Sequence, residues 1–213
     1  MRHEIHRGRL VSTMAFALRH DPAHFDLQLD DEGWTSFEEL VIAMRFERHE
    51  WDCLNEATVR EAIGAMDRFE IRDGKIRAVY GHSVKLTKPP SILPPPSVLY
   101  HGTSADNAPS ILQQGILRMR RCFVHLSSDY DWVVRFLDDK PAWTIFAIDT
   151  ASALEAGNRF RQANHHVWLT DALVACLLRF QSNGHGLLAA SSPCGIINRS
   201  QDRSRDPVSA PSQ

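Results

Sequence analysis

The chain has 213 residues, 43% hydrophobic and 23% charged, the balance of an ordinary globular protein with room for one large domain or two small ones. A formal net charge of −2 excludes a protein that grips nucleic acid through its overall charge, so any basic site must be local. Four scattered cysteines (Cys53, Cys122, Cys176, Cys194) form no CxxC pair, which argues against structural zinc and against a disulfide framework.

The opening MRHEIHRGRL is polar, and no stretch approaches the roughly 18 apolar residues of a membrane helix. A cytoplasmic protein without a signal peptide is expected. Leu10, Met14, Ala17 and Leu18 follow helical spacing, and this first helix should stop before Pro22. Asp31-Glu32-Gly33 marks a turn, and Ser36 suits the N-cap of a helix over Phe37–Met44. A third helix is expected from Thr58 to about Asp67. RFEIRDGKIRAVY then gives two short alternating runs around Asp73-Gly74, a hairpin signal. Three helices and a hairpin point to a winged-helix arrangement.

KPPSILPPP (Lys88–Pro96) has five prolines in nine residues and reads as an extended, semi-rigid linker. Beyond it the pattern is α+β. A strand is expected over Val98–His101 and a helix over about Ala105–Gln113, closed by Gly115. A short strand follows at Val124–Leu126, then a helix capped by Ser128 and running to about Phe136. Strands are expected at Thr144–Asp149, Val167–Leu169 and Leu173–Phe180. From Gln181 onward the chain is rich in Ser, Gly, Pro and Arg without periodicity, which reads as a disordered tail.

Four places carry residues suited to chemistry. Arg19 and His20 close the first helix, where cations also complement the helix dipole. Arg77 lies on the second hairpin strand, followed by Gly81-His82-Ser83; taken alone it is a solvated strand charge. Arg118, Arg120 and Arg121 precede the strand holding His125 and Ser127. Guanidinium forks match phosphate oxygens, although a basic run is also what a solvated face looks like. Finally, VLYHGTS runs a strand into His101, Gly102 and Thr103. A glycine there lets a ligand approach the backbone, and the flanking imidazole and hydroxyl suit a ribose.

Together these places resemble the NAD-dependent RNA 2′-phosphotransferases of the KptA type. The resemblance spans about Leu10–Val174 and rests on LRHDP, LDDEGWTSFEEL, DRFEIRDGKIRA, GHS, LYHGTS, the GILRM segment through Arg121, VHLS and VWLTD, in that order. It implies an α+β fold: an N-terminal winged-helix lobe and a C-terminal ADP-ribosyltransferase-like lobe with a split mixed or antiparallel sheet. The corresponding domains are a winged-helix RNA-binding lobe over 1–88, a linker over 89–97, an NAD-binding lobe over 98–180 and the tail over 181–213. The implied partner is RNA bearing a 2′-phosphate, and the implied co-substrate is NAD. The implied reaction joins the phosphate to the ribose of NAD with loss of nicotinamide. It then frees the RNA 2′-hydroxyl and ADP-ribose 1″,2″-cyclic phosphate. By the same resemblance Arg19, His20, Arg77 and Arg121 are catalytic, and His101, Gly102, Thr103, His125, Ser127 and Val167 bind NAD. No metal is expected, since adjacent His165-His166 would not share a strand face. A monomer is expected.

The sequence departs from the family pattern at Val11-Ser12, at Val79-Tyr80, at Phe123 and at Val174-Ala175. Tyr80 adds an aromatic ring able to stack on a base. Two other functions compete: ADP-ribosylation of a terminal phosphate on RNA or DNA, and non-catalytic nucleic-acid binding.

Overall fold

The computed structural model of the chain describes residues 5–64, 66–181 and 187–188, the last four of these in backbone only. Most of the predicted tail therefore lies outside the described residues. The first half folds around α1 (Arg7–Arg19), whose Leu10, Val11, Met14, Ala15, Ala17 and Leu18 are buried at helical spacing. Strand β1 (Thr35–Ser36) leads into α2 (Phe37–Glu47), where Ser36 Oγ accepts from Glu39 N at 3.2 Å as an N-cap should. Helix α3 spans Glu56–Ile63 instead of the expected Thr58–Asp67. Asn55 caps it early, accepting from Thr58 N, and Gly64 at φ +54° ends it early.

The hairpin is as expected. β2 (Phe69–Arg72) and β3 (Lys75–Ala78) pair across Asp73 and Gly74, both at positive φ, and β1 adds to β3 to give the order β1-β3-β2. One apolar core, including Phe37, Met44, Trp51, Val59 and Ile76, joins these elements.

The second half is a seven-stranded sheet in the order β10-β9-β6-β4-β5-β8-β7. Its strands are β4 (Val98–Ser104), β5 (Val124–Ser127), β6 (Trp143–Asp149), β7 (Arg161–Gln162), β8 (Val167–Thr170), β9 (Leu178–Gln181) and β10 (Leu187–Leu188). Every registered pair among the described residues is antiparallel, so the sheet is not mixed. β4 does not stop at His101; it pairs with β6 along its whole length to Ser104. With β5 it registers only at Tyr100↔Ser127, so the sheet parts into two arms beyond that point.

The helices of this half are α4 (Ala108–Gln114), α5 (Tyr130–Leu137) and α6 (Thr150–Glu155). A 3-10 turn at Ala105–Asn107 precedes α4. The cap of α5 is Asp129, accepting from Trp132 N at 3.0 Å, and not Ser128, whose hydroxyl donates to His165 O. The stretch expected as a strand from Leu173 to Phe180 is broken. Leu173 bridges Ile116, a 3-10 turn follows at Ala175–Leu177, and β9 begins only at Leu178.

The two halves are tied together by backbone and side-chain hydrogen bonds. Cys122 N donates to His82 O at 2.8 Å and its thiol to Val84 O at 3.4 Å. Asn164 Nδ2 donates to both Asp67 O and Oδ2. The proline segment is strapped down as well: Arg161 Nη1 donates to Pro90 O at 2.7 Å and Leu93 N to Phe160 O. No helix among the described residues is long and apolar enough to cross a membrane.

The absent side chain at Gly102 serves packing. A Cβ there would lie 2.5 Å from Val133 Cγ1 and 2.7 Å from Leu137 Cδ1, on the side where α5 lies against β4. The space that sequence reasoning reserved for a ligand is filled by this helix. Gly102→Ala should therefore destabilise the fold by about 1–3 kcal/mol through overpacking. Thermal unfolding checks this, with an unchanged melting temperature as the contrary result.

Candidate functional site

Several of the sequence-predicted residues meet at one cleft between the halves, of about 1230 Å³. Arg77 on β3, Tyr80 to Ser83 after it, Arg118, Arg120, Arg121 and His125 on β5 all line it. The elements explain the convergence. β3 delivers residues 77–84 to the seam, where Ser83 N and Val84 N donate to Arg19 O at the end of α1. The same segment accepts Cys122 N, which brings the arginine run alongside.

Arg19 is the most constrained of the cations. Its guanidinium carbon lies 5.3 Å from the Tyr80 ring centroid and 6.0 Å from that of Phe69. A Cβ on Gly81, which sits at φ +93°, would lie 3.3 Å from Arg19 Cδ and Nη1. Arg19 Nε and Nη2 are buried without a protein hydrogen-bond partner. Burial, with repulsion from Arg68 and Arg121 added, holds the guanidinium down to about 10.

Arg77 is arranged differently. Its Nε and Nη2 donate to Glu70 Oε2 at 2.9 and 2.7 Å, Nη1 lies 3.8 Å from Glu32 Oε2, and Trp34 stacks beneath it with the centroid at 4.5 Å. Glu70 is a positioning group that sequence reasoning passed over. The signal was available: a hairpin turning at Asp73-Gly74 sets Glu70 opposite Arg77, and these two are registered partners.

The histidines are held neutral, and their partners fix their tautomers. His101 Nδ1 donates to His125 O at 2.9 Å, which leaves its Nε2 an acceptor. Arg121 Nη1 approaches His125 Nδ1 at 3.4 Å; a guanidinium only donates, so Nδ1 accepts and the proton sits on Nε2. That Nε2 is buried without a protein partner, as is Nε2 of His82. Burial pushes His125 down to about 3, helped by Arg121 and Arg19. Burial likewise pushes His82 to about 4, and Arg19 repels its charged form. His20 Nδ1 pairs with Ser83 Oγ at 2.9 Å, and burial and Arg19 lower its pKa too.

The remaining predicted residues sit elsewhere. Thr103 Oγ1 accepts from Asn107 Nδ2. Ser127 is 1% exposed and exchanges hydrogen bonds with Asp129, while its registered partner Val167 is also 1% exposed. Tyr80, expected to be free to stack on a base, already packs against Arg19 and lies 5.9 Å from the His125 ring. Among the described residues no group of acidic, Cys and His side chains is spaced for a metal.

Buried, undirected donors and neutral imidazoles beside several fixed guanidinium groups make a cleft with the chemistry of an oxyanion site. The sequence comparison narrows that class. Residues 6–172 match the model of the family described as "RNA 2'-phosphotransferase, Tpt1 / KptA family", and the chain belongs to this family. A "Probable RNA 2'-phosphotransferase" of Acetivibrio thermocellus is 35% identical over 82% of this chain and 97% of its own. Proteins with the same description from Bacillus thuringiensis subsp. konkukian and Fusobacterium nucleatum are 34% and 32% identical, covering 82% and 84% of this chain and 95% and 100% of their own.

The depressed histidines set the acid side of the stability curve. Their folded pKa values lie below the unfolded value of about 6.5, so the unfolded chain binds more protons between the two. The stability they confer is complete above about pH 6.5 and is lost as pH falls towards 4 and 3. His82 and His125 each add a slope approaching about 1.4 kcal/mol per pH unit near pH 5. Denaturant unfolding from pH 8 to 5 measures the slope, and His125→Gln should remove about one proton from it. A flat profile would contradict the arrangement.

Proposed function

We propose that this chain removes an internal 2′-phosphate from RNA by transferring it to NAD. The observation that carries the reading is the meeting, at one seam, of Arg77 and Arg121 from opposite halves, with Arg19 and His20 behind them and His125 beside them. NAD supplies an electrophilic ribose carbon with nicotinamide as leaving group, and a neighbouring hydroxyl that accepts the phosphorus. Everything else falls to the protein. Arg19, with two undirected buried donors, and Arg121 hold the oxygens of a dianionic phosphate and neutralise charge as it redistributes. Arg77, held by Glu70 and Glu32, adds its positive charge from the wall of the same cleft.

His20 is the proton donor to the departing RNA oxygen. Burial and then Arg19 and Arg121 lower its pKa, and the negative charge of a bound phosphate acts in the opposite direction and favours the protonated form. His101, with Nε2 an acceptor, takes a hydrogen bond from a ribose hydroxyl. His125, with Nε2–H a donor, gives one to a carboxamide or phosphate oxygen. The buried, unpaired Nε2–H of His125 and the acceptor Nε2 of His101 suit a polyhydroxylated, anionic co-substrate. No carboxylate is needed as base, because the attacking phosphate oxygen is already anionic.

The fold is read in the same terms. The wiring α1-β1-α2-α3-β2-β3 with sheet order β1-β3-β2 supports a winged-helix lobe over 1–88. The antiparallel sheet that parts at Tyr100↔Ser127 supports an ADP-ribosyltransferase-like lobe over 98–180, joined through 89–97.

The test is incubation of the protein with NAD and an oligonucleotide carrying one internal 2′-phosphate. Nicotinamide release with loss of the phosphate is expected. Arg19→Ala, Arg121→Ala and His20→Ala should each lower kcat by on the order of 10²- to 10³-fold. No nicotinamide release overturns the reading, and a lasting ADP-ribose adduct on a terminal phosphate replaces it with end modification.

A further inference from the structure

Arg19 presents a puzzle of its own. A buried guanidinium is normally pinned by a carboxylate, as Glu70 pins Arg77. No ion pair holds Arg19 among the described residues, and two of its nitrogens have no protein partner. Two aromatic rings lie against it, Tyr80 at 5.3 Å and Phe69 at 6.0 Å, and Gly81, next to Tyr80, leaves little room for a Cβ beside it.

Of the two rings, Tyr80 also reaches the other half. Its centroid is 5.9 Å from that of His125, inclined at 57°. His125 in turn meets Arg121. One ring therefore stands in a chain of contacts that runs Arg19, Tyr80, His125, Arg121, crossing the seam. Phe69, deep on β2 and 8% exposed, belongs to the core of the first half and makes no such link.

We propose that Tyr80 is a positioning residue that holds the Arg19 guanidinium by its ring face and sets its register against His125 and Arg121. The role rests on the 2′-phosphotransferase reading only for its kinetic consequence. An aromatic face attracts a cation without neutralising it, whereas a carboxylate would compete with the substrate phosphate for the same donors. It is the ring that acts, since no hydrogen bond of the phenolic oxygen fixes Arg19.

The proposal separates three variants. Tyr80→Phe keeps the face and loses the hydroxyl; Tyr80→Leu keeps apolar bulk and loses the face; Arg19→Lys identifies the guanidinium signal. In proton–nitrogen spectra of the arginine side chains, the Nε–H peak absent from Arg19→Lys should be shifted by the ring in wild type and in Tyr80→Phe. It should move to the ordinary arginine region in Tyr80→Leu. In the coupled assay with NAD and 2′-phosphorylated oligonucleotide, Tyr80→Leu should lose on the order of tenfold in kcat with a much smaller change in KM for NAD. Tyr80→Phe should restore most of that loss at an unchanged melting temperature.

Three results overturn the proposal: an unmoved Nε–H peak in Tyr80→Leu, a full kcat in that variant, or a Phe variant as impaired as Leu. Should the wild-type protein release no nicotinamide, the functional reading fails, and the spectra still decide the role of the ring.

Discussion

The organising constraint of this molecule is like-charge repulsion inside a cleft. Arg19, His20, His82, His101 and His125 are depressed first by burial and then by the arginines beside them, Arg121 acting on Arg19 and on three of the histidines. Left to themselves such groups separate. They are held by contacts between neutral groups: the two backbone donations to Arg19 O, the Cys122 bonds to His82 O and Val84 O, and the Asn164 bond to Asp67 O. Each is worth only about 1 kcal/mol net. They suffice because each half has its own apolar core beneath the seam.

The histidines resolve the same conflict by remaining neutral, and neutrality makes them useful. A protonated imidazole has two donors and no acceptor. As neutral rings His101 and His125 take opposite tautomers, because one faces a carbonyl and the other a guanidinium. The site thereby presents an acceptor and a donor from the same residue type, which a field of cations alone would not provide. The parting of β4 from β5 is what makes room: where a ladder hydrogen bond would lie, the His101 ring bonds His125 O instead.

Much of this was legible in the sequence, for local reasons. The stripe of α1, the Ser36 cap and the Asp73-Gly74 turn are properties of a few neighbouring residues, and each predicted its element. Motif order carried the family. What escaped were effects that need the third dimension. α5 is capped by Asp129 because Ser128 turns to His165 across the sheet, and nothing in residues 128–131 foretells that. β4 runs on to Ser104 because β6 offers it a full-length partner. Gly102 read as an opening for a ligand, but α5, thirty residues on, occupies that side.

Tyr80 is the sharpest case of this difference. From sequence its ring was an aromatic able to stack on a base. In the fold the ring is already engaged by groups from both halves. The contrast with Arg77 shows why such a contact suits this place. Arg77 is fixed by Glu70 and Glu32 and gives up part of its charge for its position. Arg19, deeper and beside other cations, could take a carboxylate only by cancelling the field that draws an oxyanion in. An aromatic face restrains it and leaves the charge intact, so the guanidinium nitrogens without a protein partner are the ones the cleft keeps for its ligand.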